Sequence, residues 1–321
     1  MEKIKIAVTI GDPAGIGPEI CCKLINEGIH LDGCEILFVG NKKILDETFK
    51  RVLQSHKLKD YKIVEPDEAV KFDAIEFGKI KKEYGRLSML FVEKAVKMAM
   101  RGEVDAVVTC PINKRAIQLA GYKFPGHTEF LGFLTGSNDY SMMLVGDRVK
   151  VVLVTTHLPI KEVAKSIDKE KIKKAIINAH NAGRFFGKAI PKIAVCGLNP
   201  HAGDEGALGD EELKIIRPAV DEMERDGFDV SGPYPADSLF PKVLKGEFDF
   251  VVCMYHDQGL IPVKMESFGA AVNVTLNLPI IRTSVDHGTA FDIAGKNLAN
   301  NFSLKKAIEV AVGMVKNVKS A

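Results

Sequence analysis

Tryptophan is absent from the 321 residues and aromatic side chains make up only 7%, so nothing suggests a surface aromatic platform. Cysteine is sparse. Six occur, at positions 21, 22, 34, 110, 196 and 253, with no C-x-x-C pair and none of the density of a disulfide scaffold. Cys110, Cys196 and Cys253 sit in or at the end of apolar runs and read as buried small hydrophobes. No apolar stretch approaches the ~20 residues of a membrane span. The opening MEKIKIAVTIGDPAG passes straight into a strand pattern with no signal-peptide core, so a cytoplasmic protein is expected. A dominant charge sign is also missing. The formal net charge is +2 and the pI about 8.1, which argues against nucleic-acid or membrane partners. The Lys-rich run 169–174 interleaves Glu and Ile and reads as a solvated helix face. Neither G-x-G-x-x-G nor a Walker A sequence occurs, so the usual dinucleotide and P-loop fingerprints are excluded.

What remains is a soluble, globular balance of 46% apolar and 27% charged residues, in a chain long enough for two lobes. Apolar, strand-like runs at 4–10, 35–39, 106–110, 141–145, 149–155, 192–198, 248–254 and 271–276 alternate with helical patterns. The helical patterns fall at 19–27, 86–101, 169–186, 210–226 and 303–318. In the fourth helix Asp210 is expected as cap, with Glu211 and Glu212 in the first turn. Several strand runs are unbroken rather than alternating, as in strands covered on both faces. The alternation predicts an α/β protein with largely parallel sheet. There is no internal repeat and no low-complexity linker. The expected lobes are 1–125 with 265–321, and 126–264, with crossings near 125–126 and 264–269.

Three of the eight histidines share one address. His157 follows VVLVTT, His201 follows AVCGLNP and His256 follows FVVCMY, each just past a strand predicted to be parallel. Ligands of open α/β sheets bind at that edge, and three imidazoles there suit Zn²⁺ or another borderline divalent ion. Spacing leaves a second reading open, in which each is a strand-end histidine bonded to backbone. His30, His56 and His180 read as surface residues.

His127 precedes an apolar helix in PGHTEF, where the helix N-terminus would face an anion. A glycine loop, GDPAGIGPE, follows the first strand, with Pro18 placed for the first helical turn. A second loop, DHGTAFDIAGKN, spans 286–297. Lys264, Asn273 and Arg282 flank the strand AVNVTL, and Arg282 lies in the apolar setting PIIRTS. It reads as a phosphate or carboxylate ligand or as half of a structural ion pair.

GDPAGIGPE, PINK (111–114), GHTEF, TTHLP, CGLNPHAG, PADSLF, MYHDQG and LPIIRTSVDHGTA together resemble the 4-hydroxythreonine-4-phosphate dehydrogenase family of pyridoxal phosphate biosynthesis, over nearly the whole chain. The two glycine loops also resemble those of isocitrate and isopropylmalate dehydrogenases. The resemblance implies a two-lobed fold of that kind with the active site in the interlobe cleft, the second lobe carrying the metal and the dimer contacts. It implies that His157, His201 and His256 hold a divalent metal (Zn, Mg or Co), His256 being supplied by the other subunit of a homodimer. It further implies that His127, Thr128, Lys264, Asn273 and Arg282 hold a phosphorylated substrate. His287, Gly288, Thr289, Asp292, Gly295 and Asn297 would then lie in the loop receiving NAD or NADP. Ser238 stands where relatives often carry Thr, and the hydroxyl is kept.

The implied reaction is oxidation of 4-phosphooxy-L-threonine at C3, followed by loss of CO₂ to give 3-amino-2-oxopropyl phosphate. Asp237 and Asp257 are the candidate proton carriers, and either one is equally placed to orient a histidine. The sequence leaves four alternatives: a 4-phospho-D-threonate or erythronate 3-dehydrogenase, a dihydrodiol dehydrogenase, a phosphotransacetylase-like acyltransferase and, most remote, a non-enzymatic binding protein.

Overall fold

The computed structural model describes residues 3–28, 31–53 and 61–320. His30 and His56 lie outside the described residues. The chain divides into two compact units, residues 1–138 with 278–316 and residues 139–277 with 317–321. Both crossings fall downstream of the expected ones, so the GHTEF helix belongs to the first unit and the strand AVNVTL to the second.

The first unit opens with β1 (Ile4–Thr9), α1 (Gly17–Glu27), β2 (Cys34–Val39), α2 (Lys42–Leu53) and β3 (Lys62–Val64). It continues through α3 (Lys82–Met100), β4 (Ala106–Thr109), α4 (Lys114–Leu119) and α5 (His127–Thr135). After the second unit the chain returns as β11 (Ile281–Val285) and α11 (Phe302–Ser320). The strand order is β3-β2-β1-β4-β11, every pair parallel. Ile6, Ala7, Val8, Val107 and Val108 are fully buried, as the unbroken apolar runs predicted. α3 adds Tyr84, Leu87, Met89 and Phe91 to the core. Each large apolar side chain buried this way contributes roughly 1.5–3 kcal/mol.

Chain order reverses between β1 and β4, the position where open α/β sheets form a ligand crevice. The two loops leaving that point are stitched together: Cys110 N–H donates to Thr9 O at 3.1 Å and Asp12 N–H to Pro111 O at 2.9 Å. Gly11 allows this approach. Its φ is +74°, and a Cβ there would stand 2.4 Å from the Pro111 oxygen.

The second unit runs β5 (Ser141–Val145), β6 (Lys150–Leu153), α6 (Ile160–Ser166), α7 (Lys169–Ala182) and β7 (Ile193–Cys196). Then come α8 (Arg217–Arg225), β8 (Val230–Tyr234), α9 (Ala236–Leu244), β9 (Phe250–Cys253), α10 (His256–Ser267) and β10 (Val272–Leu276). Its strand order is β10-β5-β6-β9-β7-β8. β5 pairs antiparallel with β10 and β6, and the remaining pairs are parallel. Leu144, Val151, Leu153, Val251, Leu260 and Val263 form its core.

The helix expected over 210–226 differs at its start. A π-helical turn, Glu212–Ile216, precedes α8, and no side chain caps it. The Asp210 carboxylate pairs with Lys214 instead of capping. His180 is also not the surface residue expected. Its ring packs edge-on against Phe228, with centroids 4.8 Å apart. Among the described residues, no helix is long and apolar enough to cross a membrane.

Candidate active site

In the second unit β6, β9 and β7 are neighbours, all parallel, with Leu153 opposite Cys253 and Val195 opposite Val252. His157 follows β6, His256 opens α10 directly after β9, and His201 follows β7. The strand-end address read from the sequence is therefore a set of three adjacent strands, about 4.8 Å apart. The rings of His157 and His256 stand 5.6 Å apart, centroid to centroid. His256 Nδ1 donates to Asp257 at 2.7 Å, an arrangement that fixes the tautomer with Nε2 as the unprotonated nitrogen, able to serve as a ligand.

Two imidazoles on one tetrahedral ion, with metal–nitrogen bonds of about 2.0–2.1 Å, place their ring centres roughly 5 Å apart. His157 and His256 thus fit two corners of such a site. His201 does not join them within the chain. Among the described residues, no three His, Cys, Asp or Glu side chains are grouped closely enough to hold a metal ion.

The His201 loop is shaped from below. His201, Ala202, Asp204 and Glu205 all have positive φ, between 44° and 53°, a conformation that persists only when its surroundings enforce it. The turn that leads into it is braced by Glu212, 1% exposed. Its Oε1 accepts the N–H groups of Leu198 and Asn199, both at 2.7 Å, and its Oε2 accepts from Asn199 Nδ2 at 3.0 Å. Gln258 ties the His256 turn to the same loop. It accepts Met254 N–H at 2.7 Å and donates to Gly197 O at 2.6 Å. Thr155, just before His157, donates to Met254 O at 2.6 Å.

The first unit brings Arg282 and His127 close together. Arg282 on β11 is 2% exposed, and its Nη2 donates to Thr109 Oγ1 at the end of β4, at 2.6 Å. Burial pulls its guanidinium down to about 9, still charged at neutral pH. His127 begins α5. Burial, reinforced by the Arg282 charge, holds its imidazole well below the usual histidine range, and its buried Nε2 makes no hydrogen bond. A neutral imidazole, a buried guanidinium and a helix N-terminus together offer donors to a phosphate or carboxylate. Thr128 lies half-buried in the first turn of α5. Asp12, on the loop after β1, is fully buried. Burial, opposed by backbone hydrogen bonds from Ala14 and Asn113, raises its carboxyl to about 6.

The loop at 286–301 contains neither helix nor strand. His287 Nδ1 lies 3.1 Å from Gly288 O, its Nε2 is buried without a partner, and the space a Gly288 side chain would take is open. An unused ring nitrogen beside open backbone fits a ligand with polar groups. Thr289 and Asp292 lie in the same loop, and Gly295 and Asn297 adopt left-handed backbone, φ 71° and 62°.

Lys264 is exposed in the last turn of α10 and Asn273 half-buried on β10, both in the second unit. Asp237 lies in the first turn of α9, in the same unit. Sequence reading passed over Asp12, Glu19, Thr109, Glu212 and Gln258. Asp12, Glu19 and Gln258 stand inside the motifs GDPAGIGPE and MYHDQG, so the only available signal was a charged or amide residue within a glycine-containing motif. Nothing in the pattern marks Thr109.

Residues 32–311 match the model of the family described as pyridoxal phosphate biosynthetic protein PdxA. A 4-hydroxythreonine-4-phosphate dehydrogenase of Sulfurihydrogenibium sp. is 41% identical, over 98% of this chain and 99% of its own. The chain belongs to the PdxA family. A D-threonate 4-phosphate dehydrogenase of Salmonella typhimurium is 39% identical, over 97% of this chain and 99% of its own. The crystal structure of a 4-hydroxythreonine-4-phosphate dehydrogenase from Klebsiella pneumoniae matches with TM-score 0.88 and 39% identity, covering 98% of this chain and 100% of that one. A beta-decarboxylating dehydrogenase from Thermococcus kodakarensis, 14% identical, shares the fold at TM-score 0.52, covering 99% and 96%. The chain is thus an oxidoreductase, a dehydrogenase with the expected α/β fold, which sets the acyltransferase alternative aside.

Proposed function

We propose that the chain oxidises 4-phosphooxy-L-threonine at C3 and decarboxylates the product to 3-amino-2-oxopropyl phosphate, as a metal-dependent, NAD- or NADP-dependent enzyme of pyridoxine 5′-phosphate formation. The observation that carries this reading is the emergence of His157, His256 and His201 from three adjacent parallel strands. A divalent ion held by these three supplies Lewis acidity toward the substrate hydroxyl, and the nicotinamide supplies the hydride acceptor. Asp257 orients His256 through the 2.7 Å hydrogen bond. Asp237 is then the candidate proton carrier. Arg282, His127 and Thr128 bind the phosphate or carboxylate, so that remote binding energy fixes the reacting end. Lys264 and Asn273 are further substrate contacts.

The active unit is a homodimer whose subunits share the ligand set. Ile261, Met265 and Phe268 support this, being 55%, 70% and 91% exposed on one side of α10 and at its end. The family resemblance assigns His256 to the partner. The 5.6 Å approach of His157 and His256 within one chain supports a second division, with His201 as the partner's contribution.

A D-threonate or D-erythronate 4-phosphate dehydrogenase is the second substrate reading, supported by a D-threonate 4-phosphate dehydrogenase at comparable identity. NADH absorbance with the amino and hydroxy substrates side by side decides between them. His201→Ala with metal added back tests the metal, and wild-type turnover in that variant would sink it.

A further inference from the structure

Glu19 is 0% exposed, and the mechanism above makes no use of it. It lies in the first turn of α1, within GDPAGIGPE. Its Oε2 accepts the N–H of Gly295 at 3.0 Å, and its Oε1 accepts the N–H of Ala299 at 2.9 Å. Lys23, one turn on, pairs with Oε1 at 3.1 Å and donates to Ala299 O at 2.6 Å. One further hydrogen bond joins the same segments, and the loop also packs on Phe77. Ile16 N–H donates to Thr289 O at 3.0 Å, and a Cβ on Gly295 would meet the Phe77 ring at 2.7 Å.

The 286–301 loop has no ladder of its own to satisfy its amides. It also carries Ala290 and Asn297 in left-handed backbone, φ 40° and 62°, which an isolated loop would abandon. Conversely, a fully buried carboxylate is tolerated only when paired and hydrogen-bonded. Here two of its three partners are amides of the loop, and the third, Lys23, also grips the loop. Loop and carboxylate therefore depend on each other.

We infer that Glu19, with Lys23, is the positioning residue of the cofactor-binding loop and sets dinucleotide affinity through the backbone of Gly295 and Ala299. The inference rests on the cofactor reading above. Glu19 touches no reacting atom. Its loss lets the loop sample other shapes, so binding is weakened by the fraction of time the competent shape is lost.

The test measures NAD and NADP binding by calorimetry, steady-state kinetics, and hydrogen exchange at Gly295 and Ala299 in the free protein. Glu19→Gln keeps the shape but loses one acceptor and the charge. It is expected to raise the dinucleotide Kd and KM about tenfold to a hundredfold, the range for hydrogen bonds to a charged group. The KM for the phosphorylated substrate and kcat at saturating dinucleotide stay within twofold, and exchange at the two amides accelerates. Lys23→Met, which leaves both amide bonds intact, raises the dinucleotide Kd by a smaller factor and carries the test if Glu19→Gln fails to fold. Unchanged Kd in a folded variant, or a uniform loss of kcat with no change in dinucleotide KM, overturns the inference alone. A wild-type chain that binds neither NAD nor NADP overturns the cofactor reading and the inference with it.

Discussion

Gln258 donates from Nε2 to the carbonyl oxygen of Gly197 at 2.6 Å, joining the turn that carries His256 to the loop that carries His201. The same side chain accepts the buried Met254 N–H. Gln258→Leu keeps the volume and removes both bonds, leaving a buried donor and a buried acceptor unsatisfied at about 1–3 kcal/mol each. The expected result is a urea midpoint lowered by the equivalent of about 2–6 kcal/mol. In the folded variant, metal affinity measured by chelator competition should fall about 10- to 100-fold, the usual effect of removing an outer-shell partner. A variant as stable as wild type, binding metal equally well, would show that this bridge orients nothing.

Much of the architecture was legible because burial on both faces leaves continuous apolar runs. Every expected strand exists, with ends within two residues of those expected. Three strands were missed, and each has a physical reason: β3 is a three-residue outer strand, too short to give a pattern. β8 contains Gly232 and Pro233, tolerated because it is the outer strand, and β11 contains Arg282, Thr283 and Ser284, which break the apolar pattern. α9 and α10 were hidden by Pro241 and Pro262 within them. The histidine address was legible because strand ends are local. Glu19 and Glu212 were not, because their partners are backbone amides. Those of Glu19 lie 276 and 280 positions away, and a backbone amide has no letter in the sequence. The same holds for Thr109, whose role comes only through the Arg282 fork.

Asp12 is expected to cost stability at neutral pH. Its folded-state carboxyl is raised from 3.8 to about 6 by burial, so the folded chain holds a proton that the unfolded chain has released. The penalty is absent below the unfolded value, grows as pH rises through 4 to 6, and is complete above about 6. Asp12→Asn keeps the 2.8 Å acceptor for Ala14 N–H and removes the ionisation. The variant should be more stable than wild type at pH 8 by roughly 1–3 kcal/mol, because each pH unit separating the folded and unfolded titrations is worth about 1.36 kcal/mol. Urea unfolding from pH 8 down to 4.5 checks the sign, because the gap must close as pH falls. A gap constant with pH would rule out this account.

Arg282 donates to Thr109 and lies close enough to His127 for its charge to act on that imidazole. Arg282→Lys keeps the charge but loses the planar, multi-donor geometry. KM for the phosphorylated substrate should rise about tenfold to a hundredfold, with kcat changed much less, since an anchoring contact is made equally in ground and transition states. An unphosphorylated analogue, already weak, should lose little. Equal losses on both substrates would move Arg282 from phosphate recognition to structure.

The division of the metal ligands is decided by mixing inactive chains. His157→Ala and His256→Ala homodimers lack a complete site under any arrangement. If His256 is supplied across the interface to His157 and His201, a heterodimer of the two variants contains one site with all three histidines intact. A one-to-one mixture then recovers about a quarter of wild-type activity, half the dimers being mixed and half their sites whole. If instead His157 and His256 act from the same chain, as their 5.6 Å approach allows, each site in the mixed dimer lacks one of them and no activity returns. Pairing His201→Ala with His256→Ala then separates the cases further, because this mixture recovers activity whether His256 or His201 crosses the interface and stays inactive if neither does. Subunit exchange itself is checked with Met265→Glu, which places a charge on the exposed apolar side of α10. If that side is the subunit contact, this variant runs as a monomer in light scattering, binds metal weakly and complements nothing.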